Sequence, residues 1–87
     1  MEESREMQVG KVTHYFAKAH VAVIEIKGAG IKVGNNIHIK GHTTDFIQNV
    51  ESMQIEHEKI EMGEPGQSIG LKVDEPVRAN DIVYKAI

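Results

Sequence analysis

Residues 20–41, HVAVIEIKGAGIKVGNNIHIKG, carry the strongest fold signal in this 87-residue chain. His20–Ile26 is rich in β-branched residues, and the glycines at positions 28 and 30 follow it with turn chemistry. Residues 36–40 then alternate apolar and polar side chains, as a strand with one buried face does. The stretch therefore predicts two short strands joined by a glycine-rich connection.

The same period-two pattern recurs on both sides of this stretch. It appears in Gln8–Phe16 and again in Ser68–Val73, and Asp81–Lys85 is predicted to be the final strand. Residues 64–66 and 74–76 contain proline with glycine or acidic residues, which is typical of turns. Many short strands at this spacing indicate an antiparallel all-β sandwich or barrel.

Residues 45–62 fit two patterns. A helical stripe is formed by Phe46, Val50, Met53, His57 and Ile60. Asp45 and Gln48 resemble a capping box at the start of such a helix. The stretch also fits a long bent strand in which Met53 and Ile55 share one face, so the pattern alone leaves helix and strand open.

Length and composition predict one folded domain. The chain is 40% hydrophobic and 26% charged, and it contains no cysteine, which excludes disulfides, thiolate zinc sites and a cysteine nucleophile. No apolar run approaches the roughly 20 residues that span a bilayer. We expect a flexible acidic segment over residues 1–8, a single β-barrel domain over residues 9–87, and a cytoplasmic location.

Several segments resemble the second domain of translation GTPases such as elongation factor Tu and initiation factor two. They are Ala22–Gly41, Val50–Ile55, Gly66–Leu71 and Val77–Val83. The barrel of collagenase-like peptidases is also similar, at Gly66-Gln67 and at Asp81-Ile82-Val83-Tyr84. Asn35-Asn36 and Asn80-Asp81 replace the usual Gly-Asp pairs, although asparagine tolerates the same turn geometry. No Gly-x-x-x-x-Gly-Lys-Ser/Thr motif occurs, so no nucleotide is expected to bind.

The resemblance favours strands for residues 45–62. It implies an all-β fold, a small closed six-stranded antiparallel Greek-key-like β-barrel, in which closure removes exposed sheet edges. The predicted interior residues are Val12, Ile24, Ile26, Ile37, Ile39, Met53, Ile55, Ile69, Leu71, Val73, Ile82 and Tyr84. Gly10 and Gly70 are expected at points of sharp strand coiling.

Charge is distributed unevenly along the chain. The net charge of −3 disfavours indiscriminate nucleic-acid binding, but the part from Lys11 to His42 holds five lysines, four histidines and one glutamate. The resemblance implies contact with ribosomal RNA or transfer RNA. The candidate RNA-binding residues are Lys11, Lys18, Lys27, Lys32, His38, Lys40 and His42.

A protein contact is the alternative. His20–Ile26 is apolar on both faces, which places Val21 and Val23 on the outside of the predicted barrel. Outward valines at alternate positions indicate a partner, a second copy of the chain, or cover from residues 1–7. Val21 and Val23 are therefore the candidate protein-contact residues.

The sequence predicts neither catalysis nor a cofactor. No serine lies in a Gly-x-Ser-x-Gly elbow, and His38, His42 and Asp45 lack the spacing of a structural zinc site. We therefore expect a non-catalytic, stand-alone binding module associated with RNA or the translation machinery, without metal or membrane binding. The alternative is a protein-interaction or self-association module like the accessory barrel of collagenase-like peptidases.

Overall fold

Residues 6–86, described by a computed structural model, form ten short β-strands and no helix. The strands are β1 (Glu6–Phe16), β2 (Val21–Ile26), β3 (Ile31–Lys32), β4 (Asn36–Lys40), β5 (Asp45–Asn49), β6 (Met53–Ile55), β7 (Glu58–Ile60), β8 (Met62–Gly63), β9 (Ser68–Lys72) and β10 (Ile82–Ala86). Residues 1–5 of the predicted acidic segment lie outside the described residues, as does Ile87, whereas residues 6–8 begin β1. In residues 6–86, no helix has the length and apolar character needed to cross a membrane.

Eight of the strands form one antiparallel sheet in the order β5-β4-β10-β1-β2-β9-β6-β7, and β3 pairs with β8 in a separate ladder. The central strand β1 pairs with its sequence neighbour β2 on one side and with β10 on the other. The predicted all-β fold is confirmed, and residues 45–62 form strands and turns.

The hydrogen bonding differs from the predicted closed six-stranded barrel. In residues 6–86 the edge strands β5 and β7 do not pair with each other, so the sheet is open. Gln48 of β5 makes a side-chain bridge instead: its Nε2 donates to the Lys72 carbonyl at 2.9 Å, and its Oε1 accepts the Asp74 N–H at 2.7 Å. The strand count is higher than six because residues 45–62 break into four short strands and residues 31–32 form another.

One apolar core lies on the concave side of the curved sheet. Its buried members are Val9, Val12, Ala22, Ile24, Ile26, Ile31, Ile37, Ile39, Val50, Met53, Ile69, Leu71, Val73, Val77 and Val83, and Ile55 is half-buried against them. The prediction was wrong for Ile82 and Tyr84, which are only half-buried. Val83 is opposite the buried Ile39 and faces the core, so its two neighbours in the strand point outward.

A β-bulge in the central strand allows both Val9 and Val12 to reach the core, although residues three positions apart in a regular strand face opposite sides. Gln8 pairs with Tyr84 and Gly10 with Val83, so Val9 is an extra residue in β1. Gly10 follows the bulge where β1 passes very close to β2. A Cβ atom at this position would lie 2.8 Å from the Glu25 carbonyl oxygen and 2.8 Å from Cγ2 of Ile24, which is closer than van der Waals contact.

The close approach at Gly10 predicts that Gly10→Ala lowers the free energy of unfolding by about 1–3 kcal/mol, because backbone has to move to admit the methyl group. Gly70→Ala is the matched control, since a Cβ there meets its neighbours at ordinary distances of 3.5 Å or more. We expect the control to be neutral or to stabilise the protein by about 0.5–1 kcal/mol, as replacing a strand glycine does. Urea unfolding of both variants tests the pair, and equal effects would contradict the packing at Gly10.

Candidate protein-contact site

Val21 and Val23 lie on the outer face of β2, and both are half-buried. Phe16 is opposite Val21 at the end of β1, and 55% of its surface is exposed. Its ring stacks on that of His14, with 6.4 Å between ring centroids and an angle of 11° between the planes. Two valines and a phenylalanine therefore form an exposed apolar surface on the convex side of the sheet.

This surface is one side of a groove of about 440 Å³ that crosses β2, β9 and β6. We call it the apolar groove. Its lining consists of seven residues without a polar side chain, Phe16, Ala19, Val21, Val23, Ile55, Ile69 and Gly70, and four polar residues, Gln54, Glu56, His57 and Ser68. Gly70 is opposite Val23 on one side and Gln54 on the other. Because glycine has no side chain, the outer face is lowest at this point in the middle of the groove.

The β6–β7 turn borders the groove and has a costly backbone conformation. Glu56 and His57 form its two-residue loop between Ile55 and Glu58, and their φ angles are 49° and 70°. Two positive φ angles are the signature of a type I′ hairpin turn, for which asparagine and glycine are strongly preferred. His20, with a φ of 56°, directly precedes Val21 at the end of the β1–β2 turn. Turns with unfavourable residues therefore lie on two sides of the apolar groove.

A smaller depression of about 170 Å³ continues from the apolar groove. We call it the lysine depression, because Lys59 of β7 and Lys72 of β9 line it. It shares Val21, Gln54 and Gly70 with the apolar groove. Neither ammonium group forms an ion pair within the described part of the chain.

The sequence reasoning identified only the two valines of this site. It missed Lys59 and Lys72 because both lie outside the lysine- and histidine-rich part from Lys11 to His42. Ile55 comes from a strand distant in the sequence, so no local spacing joins it to Val21, and Phe16 meets Val21 only through the pairing of β1 with β2. A usable signal was the glycine at position 70, which interrupts an otherwise apolar and β-prone run.

The structure distributes the candidate RNA-binding residues over several elements. Lys11 in β1 and Lys40 in β4 share a row on the outer face, separated by Ile82, and each is opposite a carboxylate: Glu25 for Lys11 and Asp45 for Lys40. The remaining lysines lie apart from this row, Lys18 in the β1–β2 turn, Lys27 directly after β2, and Lys32 in β3. His42 is exposed in the β4–β5 turn. RNA binding by these residues stays a prediction.

His38 forms the only ion pairs found in residues 6–86. Its Nδ1 lies 2.8 Å from Glu6 Oε2 and its Nε2 lies 2.5 Å from Asp45 Oδ1, so one imidazole joins β4 to β5 and to the start of β1. The hydrogen bond with Asp45, assisted by Glu6 and opposed by partial burial, raises the pKa of His38 above its ordinary 6.5. The hydrogen bond with His38 lowers the pKa of Asp45 below 3.8.

These polar groups do not form an obvious reaction centre. Glu6 and Asp45 contact opposite ring nitrogens of His38, so the three side chains do not converge on one point where a metal could sit, and the described residues contain no cluster of three or more suitable ligands. The hydroxyl of Thr13 lies 3.4 Å from Nδ1 of His14, but it donates its proton to the Val23 carbonyl at 3.2 Å. It is therefore bonded to the backbone rather than to a base.

The His38 cluster predicts a defined pH window. The contribution of His38 is fully present below 6.5 and is lost as the pH rises through its raised pKa; that of Asp45 is present above 3.8 and is lost as the pH falls through its lowered pKa. Asp45→Asn should therefore destabilise the protein more at about pH 5.5 than at about pH 9, measured by urea unfolding.

NMR titration of the His38 ring tests the same pair directly. The midpoint should lie above 6.5 in the native protein and should fall in Asp45→Asn, while Glu51→Gln, which changes an exposed carboxylate elsewhere, should leave it in place. An unchanged midpoint in Asp45→Asn would contradict the contact.

The β6–β7 turn predicts a stabilising double substitution. Glu56→Asn with His57→Gly supplies the residues that a type I′ turn prefers, and we expect it to raise the free energy of unfolding by about 1–2 kcal/mol. Ser52→Asn with Glu51→Gly, just before β6, serves as the control and should not stabilise the chain. Thermal unfolding measures both, and a loss of stability in the turn variant would contradict the positive φ angles.

This chain is similar in sequence to two larger proteins and in fold to one domain of known structure. No protein-family model matches the chain. It is 37% identical over 81 residues to an uncharacterised protease of Methanocaldococcus jannaschii, a match that covers 92% of this chain and 20% of the protease. It is also 37% identical over 82 residues to a collagenase of Porphyromonas gingivalis, covering 93% of this chain and 20% of the collagenase. The chain thus spans about a fifth of the length of these relatives.

The crystal structure of the C-terminal domain of a putative U32 peptidase from Geobacillus thermoleovorans superimposes with a TM-score of 0.83. The sequences are 20% identical, and the match covers 90% of each chain. The selenomethionine variant of that domain also gives 0.83, at 19% identity, with 88% of this chain and 96% of that chain covered. These comparisons do not show the expected relationship to translation GTPases; they show that the chain has the fold of a U32 peptidase C-terminal domain.

Proposed function

We propose that this chain is a non-catalytic protein-contact domain of the kind that accompanies U32-type peptidases, and that the apolar groove is its contact surface. The observation that carries the proposal is the position of Val21, Val23 and Phe16 together on the convex face. This is the alternative that the sequence offered, with the two valines as the contact.

Burial of this surface by a partner would be favourable. Apolar area removed from water contributes about 25 cal/mol per Å², and a largely exposed phenylalanine offers most of its ring. The bordering turns add a second argument. Residues with positive φ angles, such as Glu56 and His57, lower the stability of the fold, and such conformations are concentrated at functional sites.

The comparisons support the peptidase context. The similar proteins are a protease and a collagenase, and this chain corresponds to about a fifth of either. We assign the cleavage of peptide bonds to the remainder of such proteins and the contact with a polypeptide to the domain described here. The engaged hydroxyl of Thr13 and the doubly paired ring of His38 fit a domain without its own chemistry.

Capture of partners from a lysate of the source cells tests the proposal. The immobilised wild-type chain should retain protein after ribonuclease treatment, and the Val21→Lys/Val23→Lys variant should lose it, because two ammonium groups would have to be desolvated in an apolar contact. Ile47→Lys is the matched control, since Ile47 is 66% exposed on edge strand β5 and does not line the groove.

Two outcomes would contradict the proposal. Retention that survives Val21→Lys/Val23→Lys would move the contact away from the groove. Retention that disappears with ribonuclease would instead favour the RNA-binding prediction for the lysines and histidines of the early strands. Circular dichroism of each variant verifies that the sheet is intact, and Gly70→Leu, which fills the groove without adding charge, provides a second test of the same surface.

A further inference from the structure

The apolar groove and the lysine depression form one continuous recess with two chemical characters. Both are lined by Val21, Gln54 and Gly70, so nothing separates them at the middle of the outer face. One end offers aliphatic and aromatic surface from Val23, Phe16 and Ile55. The other end offers two ammonium groups.

The strand register determines where the two lysines lie relative to each other and to Gly70. Lys72 is directly opposite Val21, and Lys59 is opposite Gln54, which itself is opposite Gly70. Adjacent strands are about 4.8 Å apart, so the two lysines lie within two strands of each other on the same face. Both side chains are exposed, and within residues 6–86 neither is paired with a carboxylate.

We infer that the groove binds an extended peptide segment in which a large apolar side chain lies two positions from an acidic one. The apolar side chain lies over Gly70 against Val23 and Phe16, and the carboxylate lies between Lys59 and Lys72. This inference rests on the proposed protein-contact function and adds the chemistry of the partner.

Charge complementarity distinguishes this occupant from a second copy of the chain. A symmetric dimer through the groove would bring four lysines into one contact, Lys59 and Lys72 of each copy, with only Glu56 of each copy as a carboxylate in the lining. Like charges at a contact are costly, whereas a carboxylate would be attracted. An acidic partner therefore fits the recess better than self-association does.

The shape of the recess favours a peptide rather than a flat protein surface. The groove runs across three strands, and Gly70 on the middle one contributes no side chain to its lining. An extended segment projects side chains two positions apart to the same side, so an apolar and an acidic residue at that spacing can both enter the recess, as Gly70 and Lys72 of β9 both face it.

Selection of phage-displayed random twelve-residue peptides on the full 87-residue chain tests the inference. Enriched sequences should carry Phe, Leu or Trp two positions from Asp or Glu. A synthetic peptide of the strongest sequence should bind about tenfold more weakly to Lys59→Gln/Lys72→Gln, which removes two charge contacts, and about as weakly when its own acid is replaced by the amide. Lys27→Gln/Lys32→Gln removes the same charge away from the recess and should bind like the wild type.

The outcomes separate this inference from the proposed function. Enriched peptides without acidic residues, or equal affinity of acid and amide peptides, would overturn the role of the two lysines; if Gly70→Leu still abolished that binding, the contact function would stand. Failure to enrich any peptide would also overturn the inference, while lysate capture that depends on Val21 and Val23 would leave a folded partner as the occupant. Binding unaffected by Gly70→Leu would argue against the groove in both roles.

Discussion

The antiparallel register between β2 and β9 determines both faces of the sheet at once. Ile24 is opposite Ile69 and Ala22 is opposite Leu71, which brings four core side chains to the concave side. The residues between them must then point outward, because side chains alternate along a strand. Val23 is consequently opposite Gly70 on the convex side, and both line the apolar groove. The core and the contact surface are two results of one hydrogen-bonding pattern.

Much of the fold could be predicted from the sequence because its strands are short and clearly alternating. Residues 36–40 were placed correctly as a strand, and the strand at residues 20–26 differs by one residue at its start. The last strand was assigned the wrong parity, since Ile82, Val83 and Tyr84 are all apolar and give no alternation to follow. The pattern alone could not decide between helix and strand for residues 45–62, because four short strands separated by turns place apolar residues three or four positions apart, as a helix does.

The site was less predictable than the fold for a physical reason. A groove on a sheet surface is made by neighbours in space, and here Phe16, Ile55 and Gly70 come from three strands that are far apart in the chain. Closure by pairing of edge strands is not found in residues 6–86; Gln48 of β5 bridges to residues 72–74 with its side chain instead, and no backbone pattern encodes such a bridge. The turn motifs that suggested translation GTPases reflect geometry that unrelated β-sheets share.

The central position of β1 has a consequence for how the polypeptide reaches its native state. β1 needs a partner on each side, and one of them is the last strand of the sheet, with Glu6 opposite Ala86 at a separation of 80 positions. Closing so long a loop is entropically slow, and on the ribosome β10 emerges after every other strand. Until then one edge of β1 presents unpaired amide and carbonyl groups to other nascent chains, which is a hazard for aggregation. Completion of this fold thus waits for β10, and a molecular chaperone that shields the first strand until then would increase the yield.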